Sequence, residues 1–125
     1  MPSACDACGA TGKPLAKVSL GHDFFGRTYD RLTPSSDRSP AWYCPPCSDE
    51  KRMQLDHRAI GEAVRALAGG GASPLAEPGE RERAAARLEE IAARLKAGGF
   101  CGKLLGVADV EALRDELARA GAGAA

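Results

Sequence analysis

Two cysteine doublets, Cys5-Asp6-Ala7-Cys8 and Cys44-Pro45-Pro46-Cys47, limit what this chain can fold into more than any other feature. Two residues between thiols let both sulfurs of a doublet turn toward one point. Two such doublets make a tetrahedral four-thiolate site, and zinc is the ion that such a site takes. The sequence therefore predicts one structural zinc ion held by Cys5, Cys8, Cys44 and Cys47. A closed four-sulfur shell leaves no position for water or substrate, so its binding free energy acts as folding free energy.

The surroundings of the doublets suggest their local structure. Gly9 follows Cys8 and lets the backbone turn tightly there. Residues 13–20 alternate Leu15, Lys17 and Ser19 against Ala16, Val18 and Leu20, the pattern of a half-buried strand. Phe24, Phe25, Tyr29 and Leu32 lie around Gly21 and Gly26, and two short strands joined near Gly26 fit that stretch. Residues 33–40 are turn chemistry throughout. Ala41-Trp42-Tyr43 then leads into Cys44 as a short strand. Ser48 to Leu67 reads as a helix with Met53, Ile60, Val64 and Leu67 on one face, and with Asp49 and Glu50 in its first turn.

A Gly/Pro linker is expected over 69–78, with Gly69, Gly70 and Gly71 ahead of Pro74 and Pro78. Beyond it, Glu80 to Ala97 reads as a strong helix. Ala84, Leu88, Ile91 and Leu95 form its heptad-like stripe, and Arg87, Glu90 and Arg94 lie outside it. Gly98-Gly99 ends that helix. Val107 to Ala120 is a last helix carrying Val110, Leu113 and Leu117, and 121–125 is a frayed tail. The expected organisation is a zinc-binding domain over 1–68, the linker, and a helical hairpin over 79–120.

The order of knuckle, strand, second doublet and helix resembles the treble-clef zinc fingers over residues 4–68. The resemblance implies an α+β fold: a small treble-clef-like zinc finger (knuckle, β-hairpin, helix) followed by a two-helix C-terminal segment. The 35 residues between doublets imply an insertion in the hairpin or loop. Within the treble clefs, Cys5-Asp6-Ala7-Cys8-Gly9 and the run from Cys44 to Lys51 look like the two ends of an HNH-type nuclease. Tyr29 to Ser35 also looks like the Asp-Arg-containing stretch of phage resolvase-type members. The catalytic pattern of that family is not matched. His22-Asp23 stands in reversed order, the chain has no Asn, and Ser48 follows Cys47.

Charge narrows the partners. Lys+Arg and Asp+Glu balance at 17 each. Residues 1–68 hold 9 basic and 8 acidic residues, and 69–125 hold 8 and 9. No domain-wide basic field draws phosphate, which leaves only a local surface for nucleic acid. The candidate recognition surface is Arg27, Arg31, Arg38, Trp42, Tyr43, Lys51 and Arg52, with the two aromatics as a stacking face. Against it, Asp30, Asp37, Asp49, Glu50 and Asp56 interleave with the basic residues. Trp42 has a competing reading as a cap on the small core, since aromatics are only 5% of the chain.

His22 and His57 are the two histidines. His22 reads as a surface histidine with a metal ligand as its alternative. His57 lies ten residues past Cys47, ~15 Å along a helix, and reads as an ordinary helix residue. Cys101, between Phe100 and Gly102, reads as a packing thiol. No apolar run reaches the ~20 residues of a membrane helix. Met-Pro-Ser-Ala-Cys lacks the apolar core of a secretory signal. The expectation is a cytoplasmic chain, and the Ala/Arg/Gly-rich composition suggests a bacterial one. The expected function is a non-enzymatic zinc adaptor or regulator that binds a protein partner. Nucleic acid is a second candidate partner, self-association through the C-terminal helices a third option, and an HNH-like nuclease the alternative.

Overall fold

The computed structural model describes residues 4–6, 8–12, 14–17, 24–26, 42–100 and 104–123. Among them the chain is mostly helical. Strand β1 is Ala16–Lys17 and β2 is Trp42–Tyr43. They pair antiparallel, Ala16 opposite Tyr43 and Lys17 opposite Trp42. Helix α1 runs Pro45–Ala68, a short 3-10 helix Pro74–Ala76, α2 Glu80–Ala97 and α3 Val107–Gly123.

The β content is smaller than an α+β reading suggests. The alternating stretch 13–20 yields strand at residues 16 and 17, and residues 18–20 lie outside the described set. Its partner is β2, which leads into the second doublet. Of the hairpin expected over 21–32, only residues 24–26 are described. They form a turn in which Gly26 has φ 80° and the rings of Phe24 and Phe25 meet edge to face at 5.1 Å.

Helix α1 begins three residues before the sequence reading places it. Proline suits the first helical positions, because its missing N–H is one that no intrahelical acceptor would take. Pro45 and Pro46 therefore open the helix, and its first backbone bond is Ser48 N–H to the Cys44 carbonyl at 2.8 Å. Asp49 and Glu50 consequently fall in the second turn, and the first turn holds no acid.

The chain divides into two compact units, residues 1–56 with 99–105, and residues 57–98 with 106–125. The division falls inside α1 and not in the Gly/Pro stretch. Residues 69–78 are also more ordered than their composition suggests. Gly71 N–H reaches back to the Ala66 carbonyl at 2.9 Å and closes α1. Ser73 Oγ donates to the Ala63 carbonyl at 2.8 Å and accepts from Leu75 N–H at 3.2 Å. Leu75 is then buried at 1% exposure. A capping serine followed by one apolar anchor turns the expected linker into a docked turn of the second unit.

The core of the second unit comprises Ala59, Ile60, Ala63, Val64, Leu75, Ala84, Leu88, Ile91, Ala92, Val110, Leu113 and Leu117. On α2 the buried face is Ala84, Leu88, Ile91 and Ala92, and Leu95 is half-exposed. The heptad reading drifts here because a straight helix repeats every 3.6 residues, which carries position 95 off the face and brings 92 onto it. Two exposed ion pairs, Lys96 to Glu111 and Arg114 to Glu89 at 3.2 Å each, show α2 and α3 running antiparallel. Such pairs contribute little to stability, so the apolar face holds the hairpin. The first turn of α2 lacks a side-chain cap at Gly79. There the hydrogen bond from Arg83 holds the Glu80 carboxyl below its ordinary range. Helix α3 continues to Gly123, three residues past its expected end, with residues 124–125 outside the described set.

Gly61 sits buried within α1. An added Cβ there would meet Arg65 Nη1 at 3.4 Å and Leu113 Cδ2 at 3.7 Å, ordinary contacts with a flexible side chain and a methyl group. Gly61→Ala should therefore stabilise the chain by about 0.5–1 kcal/mol through helix propensity alone. A thermal melt checks this, and a lowered midpoint would show that Leu113 cannot accommodate the methyl.

Candidate metal centre

The first doublet lies in a tight turn closed by its own backbone. Ala4 bridges Thr11, Cys5 N–H bonds the Ala10 carbonyl at 2.9 Å, and Gly9 N–H bonds the Cys5 carbonyl at 2.9 Å. Gly9 has φ 76°, a conformation glycine adopts without strain. The second doublet straddles the junction of β2 and α1. Cys44 follows the strand as the residue whose carbonyl starts the helix, and Cys47 lies in the first turn.

These elements bring the four predicted ligands together. The Sγ atoms of Cys5, Cys8, Cys44 and Cys47 all lie within 4.8 Å of one another, so they can hold one metal ion. Cys8 and Cys44 Sγ are 3.8 Å apart. A tetrahedron with metal–sulfur bonds of about 2.3 Å has sulfur–sulfur edges of about 3.8 Å, so the arrangement fits. None of the four is in a disulfide. Cys5, Cys44 and Cys47 are buried, while Cys8 is half-buried. Tyr43 and Leu55 complete the cluster, with Ala10 and Leu15 packed against it.

Charge is also provided for. Four thiolates around a dication leave net negative charge, which nearby N–H groups and a helix N-terminus stabilise. Cys44 N–H points to Cys5 Sγ at 3.4 Å, linking one doublet to the other. The N-terminal end of α1 lies at the second doublet.

Asp6 is the contributor that sequence reasoning missed. Its backbone N–H donates to the Trp42 carbonyl at 2.9 Å, and Trp42 N–H donates to Asp6 Oδ2 at 2.7 Å. This reciprocal pair ties the residue after Cys5 to the strand before Cys44. An acid between two cysteines is a turn-forming residue, and that was the available signal. Asp6→Ala should weaken zinc binding about 10-fold, the mild end for an outer contact because this bond is exposed. Asp6→Asn, which keeps an acceptor, should retain most of the affinity. Competition against a chromogenic chelator reads both, and equal affinities for all three chains would remove Asp6 from the site.

The candidate recognition surface fares differently residue by residue. Arg27, Arg31 and Arg38 lie outside the described residues, as do His22 and Cys101. Tyr43 is buried at 8% exposure among the cysteines, so its ring packs the metal cluster and offers no stacking face. Trp42 is half-buried and Arg52 exposed. Lys51 Nζ donates to Gln54 Oε1 at 2.9 Å. His57 Nε2 lies 3.2 Å from the Asp109 carbonyl, where it serves as a donor, in keeping with an ordinary helix residue.

No family model, curated protein or solved structure matches the chain. No helix among the described residues is long and apolar enough to cross a membrane.

Proposed function

We propose that this chain is a small non-enzymatic adaptor or regulator whose first unit is organised by one structural zinc ion. The carrying observation is the convergence of four cysteine Sγ atoms within 4.8 Å. When bound, zinc supplies a fixed tetrahedral joint and no reactive position, because all four ligand places belong to the protein. Cys5, Cys8, Cys44 and Cys47 hold it, Cys44 N–H supports a sulfur, and Tyr43 and Leu55 shield it.

The treble-clef-like reading of this unit is supported by the order of its parts. A turn closed by the Ala4–Thr11 bridge carries one doublet, and a strand–helix junction carries the other. The non-enzyme reading rests on the closed shell and on the missing HNH pattern, with no Asn in the chain and Ser48 after Cys47. The partner proposed is another protein.

Metal analysis of the reduced protein should find one zinc per chain, lost on Cys44→Ser. A folded, zinc-free protein under reducing conditions would defeat this reading. Magnesium- or manganese-dependent cutting of plasmid DNA, abolished by His22→Ala, would replace it with the nuclease alternative.

A further inference from the structure

Glu50 is the one charged residue among the fully buried side chains described, at 0% exposure. Its Oε2 accepts Leu104 N–H at 2.6 Å and Leu105 N–H at 3.1 Å. One turn further along α1, Gln54 Nε2 donates to the Leu104 carbonyl at 2.8 Å, and Lys51 Nζ steadies Gln54 through Oε1 at 2.9 Å. These bonds account for Leu104 and Leu105 belonging to the first unit although they lie between α2 and α3 in sequence. Leu105, held at 7% exposure, is the apolar residue they bury.

Cys47, Glu50 and Gln54 stand at i, i+3 and i+7, so one face of α1 carries a metal ligand and both clamping side chains. The helix start is tied directly to the cysteine site. Its first backbone bond, from Ser48 N–H, ends on the carbonyl of the ligand Cys44, and Cys47 lies within its first turn. A turn built that way frays when its ligands are released. Glu50 is costly to bury unless it meets its two amides, so a frayed turn hands it back to water.

We infer that metal occupancy at the cysteine site governs the docking of Leu104 and Leu105 on α1 through Glu50. This rests on the zinc reading above. With zinc bound, Glu50 and Gln54 hold the Leu104–Leu105 backbone. Without it, that backbone is released and Leu105 is exposed, so the chain presents an apolar segment only in its metal-free state.

Amide hydrogen exchange on the full chain tests this, comparing zinc-loaded protein with protein treated with chelator and reductant. Leu104 and Leu105 amides should exchange at least ~10-fold faster without zinc, while Leu88 and Ile91 in α2 change less than ~2-fold. In the zinc-loaded chain, Glu50→Ala, which removes the acceptor of both amides, should speed exchange at 104 and 105 with zinc content still one per chain. Should that variant not fold, the wild-type comparison decides alone. Unchanged exchange at 104 and 105 in a zinc-binding chain whose Ser48 amide has lost protection overturns the inference by itself. Equal loss of protection at Leu88 and Ile91 also overturns it, since the response is then global. A chain that takes up no zinc overturns both readings, and metal content shows this before any exchange is read.

Discussion

Stripping zinc from the reduced protein should unfold the first unit and leave most of the helical signal in place. The buried cluster there is Cys5, Tyr43, Cys44, Cys47 and Leu55, in which three of five residues are ligands. Beyond it, the described residues of the unit bury only Met53 and Leu105 among apolar side chains, so little apolar surface remains to fold on once the ion has gone. Structural zinc contributes about 10–16 kcal/mol of apparent binding free energy in small fingers, more than a cluster of this size replaces. The single tryptophan makes the effect visible, because Trp42 lies in β2 and is bonded both ways to Asp6. Its emission should shift to the red on chelation and return on adding zinc. Circular dichroism should fall only in part, because α2 and α3 belong to the other unit. An emission spectrum unmoved by complete zinc loss would show that the unit folds without metal.

Leu88→Ala should be the most damaging single change in the second unit. Leu88 is at 0% exposure in the middle of α2, on the face shared by Ala84, Ile91 and Ala92. Cutting a buried leucine to alanine costs about 2–5 kcal/mol, transfer and cavity terms together. Whole domains are stable by only about 5–15 kcal/mol, so a unit this small loses a large share. Leu95→Ala, on a half-exposed residue, should cost less than about 1 kcal/mol. Thermal melts of the two variants separate a 3.6-residue face from a heptad stripe. Equal losses would restore Leu95 to the core. Zinc content of the Leu88→Ala protein at low temperature should remain one per chain.

Those contrasts show which information is local. Both doublets were legible because ligand spacing is written within four residues. The α2 boundaries, Glu80 and Ala97, were legible because a periodic run ends in paired glycines. The start of α1 was misplaced because prolines were read as preceding a helix, whereas they also suit its first positions. Residues 69–78 looked like a linker by composition. Their order depends on Ser73 reaching Ala63, which no composition count contains. Pairing of β1 with β2, the Asp6–Trp42 tie and the hold of Glu50 on Leu104 span 25 residues or more. Such contacts are selected by the folded whole, and a single sequence carries no periodic trace of them.

The antiparallel match of β1 to β2, with the Asp6–Trp42 tie beside it, has a consequence for engineering. Together they brace the two ends of the long excursion that separates the doublets. Closing a longer excursion costs little more, about 0.6 kcal/mol for each doubling of its length. Extra sequence placed between Lys17 and Trp42 would therefore leave both gripping ends intact. The chain then serves as a metal-stapled frame into which a guest peptide can be spliced, with zinc uptake reporting at once whether the frame has survived.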